Sequence, residues 1–310
     1  MSFEDEFSRL PLGTSPKSLY DPIRYIMKLG GKRLRPNLVL MAYGLYRDDA
    51  EKIIKYAVAV EAFHNFTLMH DDIMDNAPLR RGKPTVHKKY NSNTAILSGD
   101  VMLVKVYDMF LPLPDHQLKQ VLTLFNKTAA EVCEGQQLDM DFETQKKVSE
   151  KQYLEMIRLK TAVLLGFSLE LGAILAEAPE EDRKALYDFG VNIGVGFQLM
   201  DDLLDVYADQ KKFGKTVGGD IVSNKKTYLL IKALERNKTD LNKWLSAKKF
   251  DKKKKVAAIK GIYDSLGIRQ LTQKKADQYF EEGYRCMGRI NNPKKDQLIA
   301  LAKSLAARQK

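Results

Sequence analysis

The sequence predicts an all-α fold: a bundle of about ten or more mostly antiparallel helices around a deep central cavity. Three observations carry that prediction. Apolar residues recur at helical spacing along the whole chain. No stretch alternates apolar and polar residues between turn signals, as a half-buried strand would. Proline and glycine clusters fall between the periodic segments, where they punctuate helices.

The elements follow in order. A first helix over roughly 17–29 is stopped by Gly30-Gly31, and Pro36 opens a second over 36–47, at a first-turn position where a missing N–H costs nothing. The third, 49–76, is long and apolar and runs into a loop marked by Pro78, Arg80-Arg81-Gly82 and Pro84. Pro112 and Pro114 separate helices over 92–111 and 115–138. A helix over 149–177 follows, and Pro179 starts the next, over 181–209. Further helices are expected over 224–236, 250–266, 270–289 and 294–308, the last after Pro293. No linker rich in Gly, Pro or Ser divides the chain, so residues 1–310 are expected to form one domain.

The 310 residues are 44% hydrophobic and 29% charged, a globular mix that permits a large core and argues against disorder. The net charge of +11 is unevenly spread. From Lys211 onward, 26 Lys and Arg face 9 Asp and Glu, an excess of +17 that leaves about −6 for residues 1–210. Such an excess suits nucleic acid, membrane headgroups or an anionic substrate. The densest run, Lys248 to Lys255, interleaves no aromatic residue but Phe250 and reads as a solvated loop or helix end. No nucleic-acid-binding module accompanies it, so no nucleic-acid partner is expected. Cys133 and Cys286 are too few for a disulfide framework and lack C-x-x-C spacing, which suits a reducing cytoplasm. The acidic start is unlike a signal peptide and no apolar run reaches membrane-spanning length, so no membrane insertion is expected.

One signature recurs. Asp71-Asp72-Ile-Met-Asp75 closes a long apolar helix, and a turn of about 100° per residue puts Asp71 and Asp75 on one face. Asp201-Asp202-Leu-Leu-Asp205 repeats the arrangement within the apolar stretch Phe189 to Tyr207. One such cluster could be a solvated acidic helix end. Two, each embedded in Leu, Ile, Val and Met, would gather negative charge that demands cations. All-oxygen ligation with few protein ligands per ion points to Mg²⁺, and no Cys or His cluster suggests zinc.

Cations supply the other half. Lys32, Arg33 and Arg35 follow Gly30-Gly31 at a helix N-terminus, where amide groups and guanidinium forks favour an anion. Arg80 and Arg81 follow the first acidic cluster, while Lys160-Thr161, Lys215 and Lys225 flank the second. His64 lies seven residues before Asp71 and nearly on its face, although a lone helical histidine is more often structural. Carboxylates alternating with cations describe a site for diphosphates bridged by metal.

These residues carry a resemblance. GGKRLRP at 30–36, DDIMD at 71–75 with LRRGKPT at 79–85, GQQLD at 135–139, Lys160-Thr161, FQLMDDLLD at 197–205 and FGKTVGGD at 213–220 stand in one order. That order resembles the trans-isoprenyl diphosphate synthases (polyprenyl synthetases), the family of farnesyl and geranylgeranyl diphosphate synthases. The match runs from about Tyr20 to Leu230. It implies the type I isoprenoid synthase fold and a cytoplasmic homodimer, for which the apolar hairpin over 92–138 offers an interface. It further implies that Lys32, Arg35, His64 and Arg81 hold the diphosphate of isopentenyl diphosphate. Arg80, Lys160, Thr161, Gln198, Lys215 and Lys225 would hold the allylic diphosphate. Asp71, Asp75 and Asp201 would be the principal ligands of Mg²⁺, three ions per site, supported by Asp72, Asp202 and Asp205. Gln136 and Asp139 would line the same cavity, and Arg33 receives no substrate contact.

The implied reaction is ionisation, condensation and elimination, with Asp71, Asp201, Lys160, Thr161 and Gln198 as catalytic groups. The hydroxyl of Thr161, the amide oxygen of Gln198 and the carbonyl of Lys160 would face the allylic cation. Phe66, five residues before Asp71 and so roughly 7.5 Å deeper along the helix, could floor the pocket for the growing tail. Thr67 beside it is small; ordinary core packing also accounts for Phe66. An aromatic here beside an uninterrupted DDxxD resembles a geranylgeranyl (C20) pattern, with farnesyl (C15) the alternative. A terpene cyclase would replace the second acidic motif and lack GGKRLRP. A non-catalytic subunit of a heteromer usually loses one acidic motif. Both motifs are present here.

Overall fold

Side-chain caps set several of the helix starts in the computed structural model, which describes residues 13–208 and 217–307. The chain divides into two compact units, one of residues 1–126 and 167–183, the other of 127–166 and 184–310. Regular structure among the described residues is almost entirely helical, as the sequence predicts.

The first unit holds α1 (Lys17–Lys28), α2 (Leu34–Gly44) and α3 (Ile54–Met74). A two-stranded hairpin, β1 (Leu79–Arg80) with β2 (Lys83–Pro84), precedes the short α4 (Val86–Lys89), then α5 (Ser92–Phe110). The first unit also contains the start of α6 (Asp115–Thr144). Its core is aromatic. Phe125, fully buried, meets Phe63 at 5.0 Å, Tyr107 at 5.2 Å, Phe110 at 5.5 Å and Phe167 at 5.7 Å between ring centroids. Edge-on aromatic pairs of this kind add about 0.5–1.5 kcal/mol each beyond area burial. The core thus fixes α3, on which the first acidic motif rides.

The second unit contains the rest of α6, then α7 (Glu150–Ile157), a π-helical turn (Arg158–Ala162), and the first residues of α8 (Val163–Leu175). Most of α9 (Glu180–Tyr207) follows, with α10 (Gly219–Ser223), α11 (Tyr228–Arg236), α12 (Lys238–Leu245), α13 (Lys252–Ser265), α14 (Ile268–Gly288) and α15 (Lys295–Ala306). Side-chain caps start α7, α11, α12 and α13. Ser149 and Gln152 form a reciprocal capping box on α7, while Thr227, Asn237 and Asp251 accept from amides of α11, α12 and α13.

Several boundaries differ from expectation, each for a local reason. The predicted 49–76 helix begins as a 3₁₀ turn at Ala50–Ile53, and α6 runs six residues past 138, through Gly135, to Thr144. The helix expected from 224 starts at Tyr228, because Asn224 adopts φ +58° and ends α10 instead. The sequence reading has no helix at 238–245; Asn237 both ends α11 and caps α12. The hairpin was expected as loop. Its two-residue turn, Arg81 (φ +53°) and Gly82 (φ +74°), has both residues left-handed, the backbone twist a tight hairpin needs. The basic run is not all solvated: Lys255 is fully buried, donating to Val222 O at 3.2 Å and Asn224 Oδ1 at 2.6 Å. No helix among the described residues is long and apolar enough to cross a membrane.

Candidate active site

In the first unit, the loop before α2 and the hairpin place cations beside α3. Arg33 adopts φ +48° and turns inward, donating to Glu61 at 2.7 Å and to the carbonyl of Met27 at 2.9 Å. Glu61 is 2% exposed, so the Arg33–Glu61 pair is largely buried. Arg35 stands 3.1 Å from His64 Nε2. Burial, opposed by Glu61 and aided by Arg81, lowers the Arg35 pKa to about 10. Burial first, then Arg35, Arg81, Arg80 and Arg33, hold His64 well below the usual histidine range. His64 is therefore a neutral ring in a cationic cluster, able to share a proton with an anion without adding charge. The guanidinium of Arg81 lies against Gly31, where an added Cβ would come within 2.8 Å of it; Gly31 itself has φ +138°. Lys32 stays exposed. Arg35, His64 and Arg81 thus belong to one neighbourhood, in which the acid Glu61 is already paired with Arg33.

The first acidic motif splits by role. Asp72 is 2% exposed and gripped by Arg80, whose Nε donates to its two oxygens at 3.0 and 2.8 Å. Burial raises the Asp72 pKa against that pairing. Arg80 also reaches Asp71 at 3.4 Å. Asp71 is half-buried and Asp75 exposed, one turn apart at the end of α3. Asp75 is thus the exposed member, Asp71 is partly covered, and the middle carboxylate is locked.

The second motif repeats that division. A pocket of about 200 Å³ is lined by Lys160, Thr161, Gln198, Asp201, Asp202 and Asp205, and also by Asp139, Tyr153, Asp220 and Lys225. Asp202 is 5% exposed; it accepts from the hydroxyl of Tyr153 and, at 3.3 Å, from Gln198. Burial, then the charge of Asp220, push its pKa up to about 8, despite the hydrogen bonds. The Thr161 hydroxyl donates to Gln198 Oε1 at 3.3 Å, which sets the orientation of the amide. Asp205 accepts from the amide of Asp220 at 3.0 Å.

Asp139 anchors the lysines. Its Oδ2 accepts from Lys160 at 2.7 Å and Lys225 at 3.2 Å. Burial works to raise its pKa, but Lys225 and Lys160 outweigh that and hold it below the usual range. Lys225 is in turn raised, since Asp139, Asp220 and Asp202 overcome its burial. Of the cavity residues expected from GQQLD, Asp139 lines the pocket and Gln136 does not. Lys215 lies outside the described residues. Sequence reading missed Tyr153 and Asp220. The former gives no motif signal; the latter closes FGKTVGGD, a usable clue.

Close helix contact shapes this pocket. A Cβ at Gly135 would lie 2.2 Å from the amide nitrogen of Lys160, and one at Gly194 would lie 2.6 Å from Ala162 Cα. The glycines let α6 and α9 close on the π-helical turn that carries Lys160 and Thr161. Such turns re-aim successive side chains and are frequent at functional sites. On α3, Phe66 is buried against Phe63 (5.7 Å) and His70 (4.8 Å), and Thr67 donates to His64 O at 2.8 Å. Phe66 therefore has core contacts whatever else it does.

The donor set suits a hard divalent ion: carboxylate oxygens, one turn apart, with no sulfur. Among the described residues no group of three or more His, Cys, Asp or Glu is placed to hold a metal ion by itself. Mg²⁺ needs none, because it keeps water and takes phosphate oxygens.

The chain is similar to known proteins over most of its length. The profile of the polyprenyl synthetase family matches residues 16–266. A short chain isoprenyl diphosphate synthase of Methanocaldococcus jannaschii is 46% identical over 228 residues, 73% of this chain and 69% of that protein. A geranylgeranyl diphosphate synthase of Methanosarcina mazei is 37% identical over 300 residues, 96% of this chain and 91% of that one. A crystal structure of a geranylgeranyl pyrophosphate synthase superposes with a TM-score of 0.94 at 44% identity, covering 99% of this chain and 96% of that one.

Proposed function

The chain belongs to the polyprenyl synthetase family, and we propose that it condenses isopentenyl diphosphate with allylic diphosphates to an all-trans prenyl diphosphate, geranylgeranyl diphosphate (C20). The observation that carries the reading is the shared division of the two acidic motifs. In each, the middle aspartate (Asp72, Asp202) is buried and held by a side chain, and the outer two are less buried. That is how carboxylates are set aside for metal.

Arg35, His64, Arg81 and Lys32 bind the diphosphate of isopentenyl diphosphate. Lys160, Lys225 and Arg80, with Lys215, bind the allylic diphosphate. Asp71, Asp75 and Asp201 hold Mg²⁺, three ions per site, with Asp72, Asp202 and Asp205 in support. When bound, the metal neutralises the diphosphate and makes it a better leaving group. As the allylic C1–O bond breaks, fixed charge on Lys160, Lys225 and Arg80 stabilises the departing diphosphate. The Thr161 hydroxyl oxygen, Gln198 Oε1 and the Lys160 carbonyl face the allylic cation. The double bond of isopentenyl diphosphate attacks C1, and a proton passes to the departing diphosphate. No enzyme nucleophile is needed.

A single family profile spans both units, which supports their working as one domain. Leu97, Val104 and Leu111, 57–59% exposed and seven residues apart, form an apolar stripe along α5 and its end. Such a stripe supports a homodimer. Few cysteines and no spanning helix among the described residues support a cytoplasmic location. Incubating the purified chain with isopentenyl diphosphate, dimethylallyl diphosphate and Mg²⁺ should yield a C20 diphosphate. A product that stops at C15 would contradict the assigned length.

A further inference from the structure

A second cavity lies in the second unit, between the α6–α7 loop, the 224–226 segment, α11 and α12, with a volume of about 700 Å³. Its floor is apolar: Val148, Leu230, Ile231, Leu234 and Leu245. Its rim carries Lys146, Lys147, Lys226 and Lys238, against one acid, Glu235, which is paired with Lys232. Apolar floor and cationic rim together fit one kind of ligand, a single-chain amphiphile with an anionic head, and the volume lies in the range of small-molecule sites. The groove is also tied to the catalytic pocket. Lys225 donates to Asp139 inside that pocket, while its neighbour Lys226 lines the groove and donates to Glu143 O at 2.8 Å. Asn224, at φ +58°, reaches Leu245 O at 3.2 Å and so joins the same segment to α12.

We propose that this groove is a second binding site for the prenyl diphosphate product, its tail on the apolar floor and its diphosphate on the lysine rim, and that occupancy slows turnover through the Asn224–Lys226 segment. The identity of the ligand rests on the function proposed above.

The chain provides its own reporter. Trp244, the single tryptophan, lies in α12 beside Leu245 and is half-buried. Geranylgeranyl diphosphate, titrated into the full-length protein in EDTA, should change Trp244 fluorescence saturably. Lys147→Glu with Lys238→Glu, both at exposed positions, should weaken that response at least 10-fold and relieve inhibition by added product. Its basal rate should stay within 2-fold of the parent. The alanine pair should show the same trend, which separates charge from misfolding. No saturable response, a response unchanged in both variants, or a response only to phosphatidylglycerol vesicles would overturn the proposal. Absence of prenyl synthesis by the parent protein would instead overturn the reading of function.

Discussion

Tyr153 gives its hydroxyl hydrogen to Asp202 in a buried setting, so Tyr153→Phe should leave a carboxyl short of a partner. Such a loss costs about 1–3 kcal/mol and should lower kcat more than it changes KM for either substrate. Steady-state kinetics and a thermal melt check both. The same carboxyl makes stability depend on pH. Its folded pKa is raised to about 8 by burial and then Asp220, above the ordinary 3.8. The metal-free fold therefore favours the protonated form: its contribution is fully present below about pH 4 and is lost as pH rises through 8. Denaturation of the metal-free protein from pH 4 to 9 should show that decline, and Asp202→Asn should flatten it. At this scale the acidic motifs were legible because five residues of spacing identify them. Tyr153 was not, because one tyrosine 49 positions from its partner has no local pattern. Phe66 is testable as well. Phe66→Ala should lengthen the product, read by chromatography, and cost about 3–5 kcal/mol because the ring is core. An unchanged product would make it packing alone.

Elements were legible in proportion to their length. The long helices follow from periodicity and caps, whereas the two-residue strands of the hairpin and α12 are too short to show a period. The π-helical turn was invisible, since Arg158–Ala162 reads like any helix. Its environment, however, has a sequence trace in Gly135, an odd residue for a helix interior. Gly135→Ala would drive a methyl into the Lys160 backbone. The expected result is a loss of about 1–3 kcal/mol or more in stability and a larger fall in kcat, because Lys160 and Thr161 move with the turn. A variant with normal melting temperature and normal kcat would show that the turn has room to adjust.

For the whole molecule, charge distribution and one stripe of leucine and valine set the expectations. The basic excess of the last hundred residues is partly structural, as Lys255 shows, and partly committed to the aspartate-lined pocket through Lys225. Leu97→Glu with Val104→Glu should convert a dimer to a monomer by light scattering; a parent that is already monomeric would remove the dimer. The central claim is that both acidic motifs serve one metal-assisted reaction. The most direct measurement is Mg²⁺-dependent prenyl transfer by Asp71→Ala, Asp201→Ala and the double variant, all verified as folded. Each single change should lower kcat by about 10³-fold or more, and the double variant should be little worse than either, because groups acting as a unit are not additive. Near-parental turnover in either single variant, or losses that simply multiply, would contradict it.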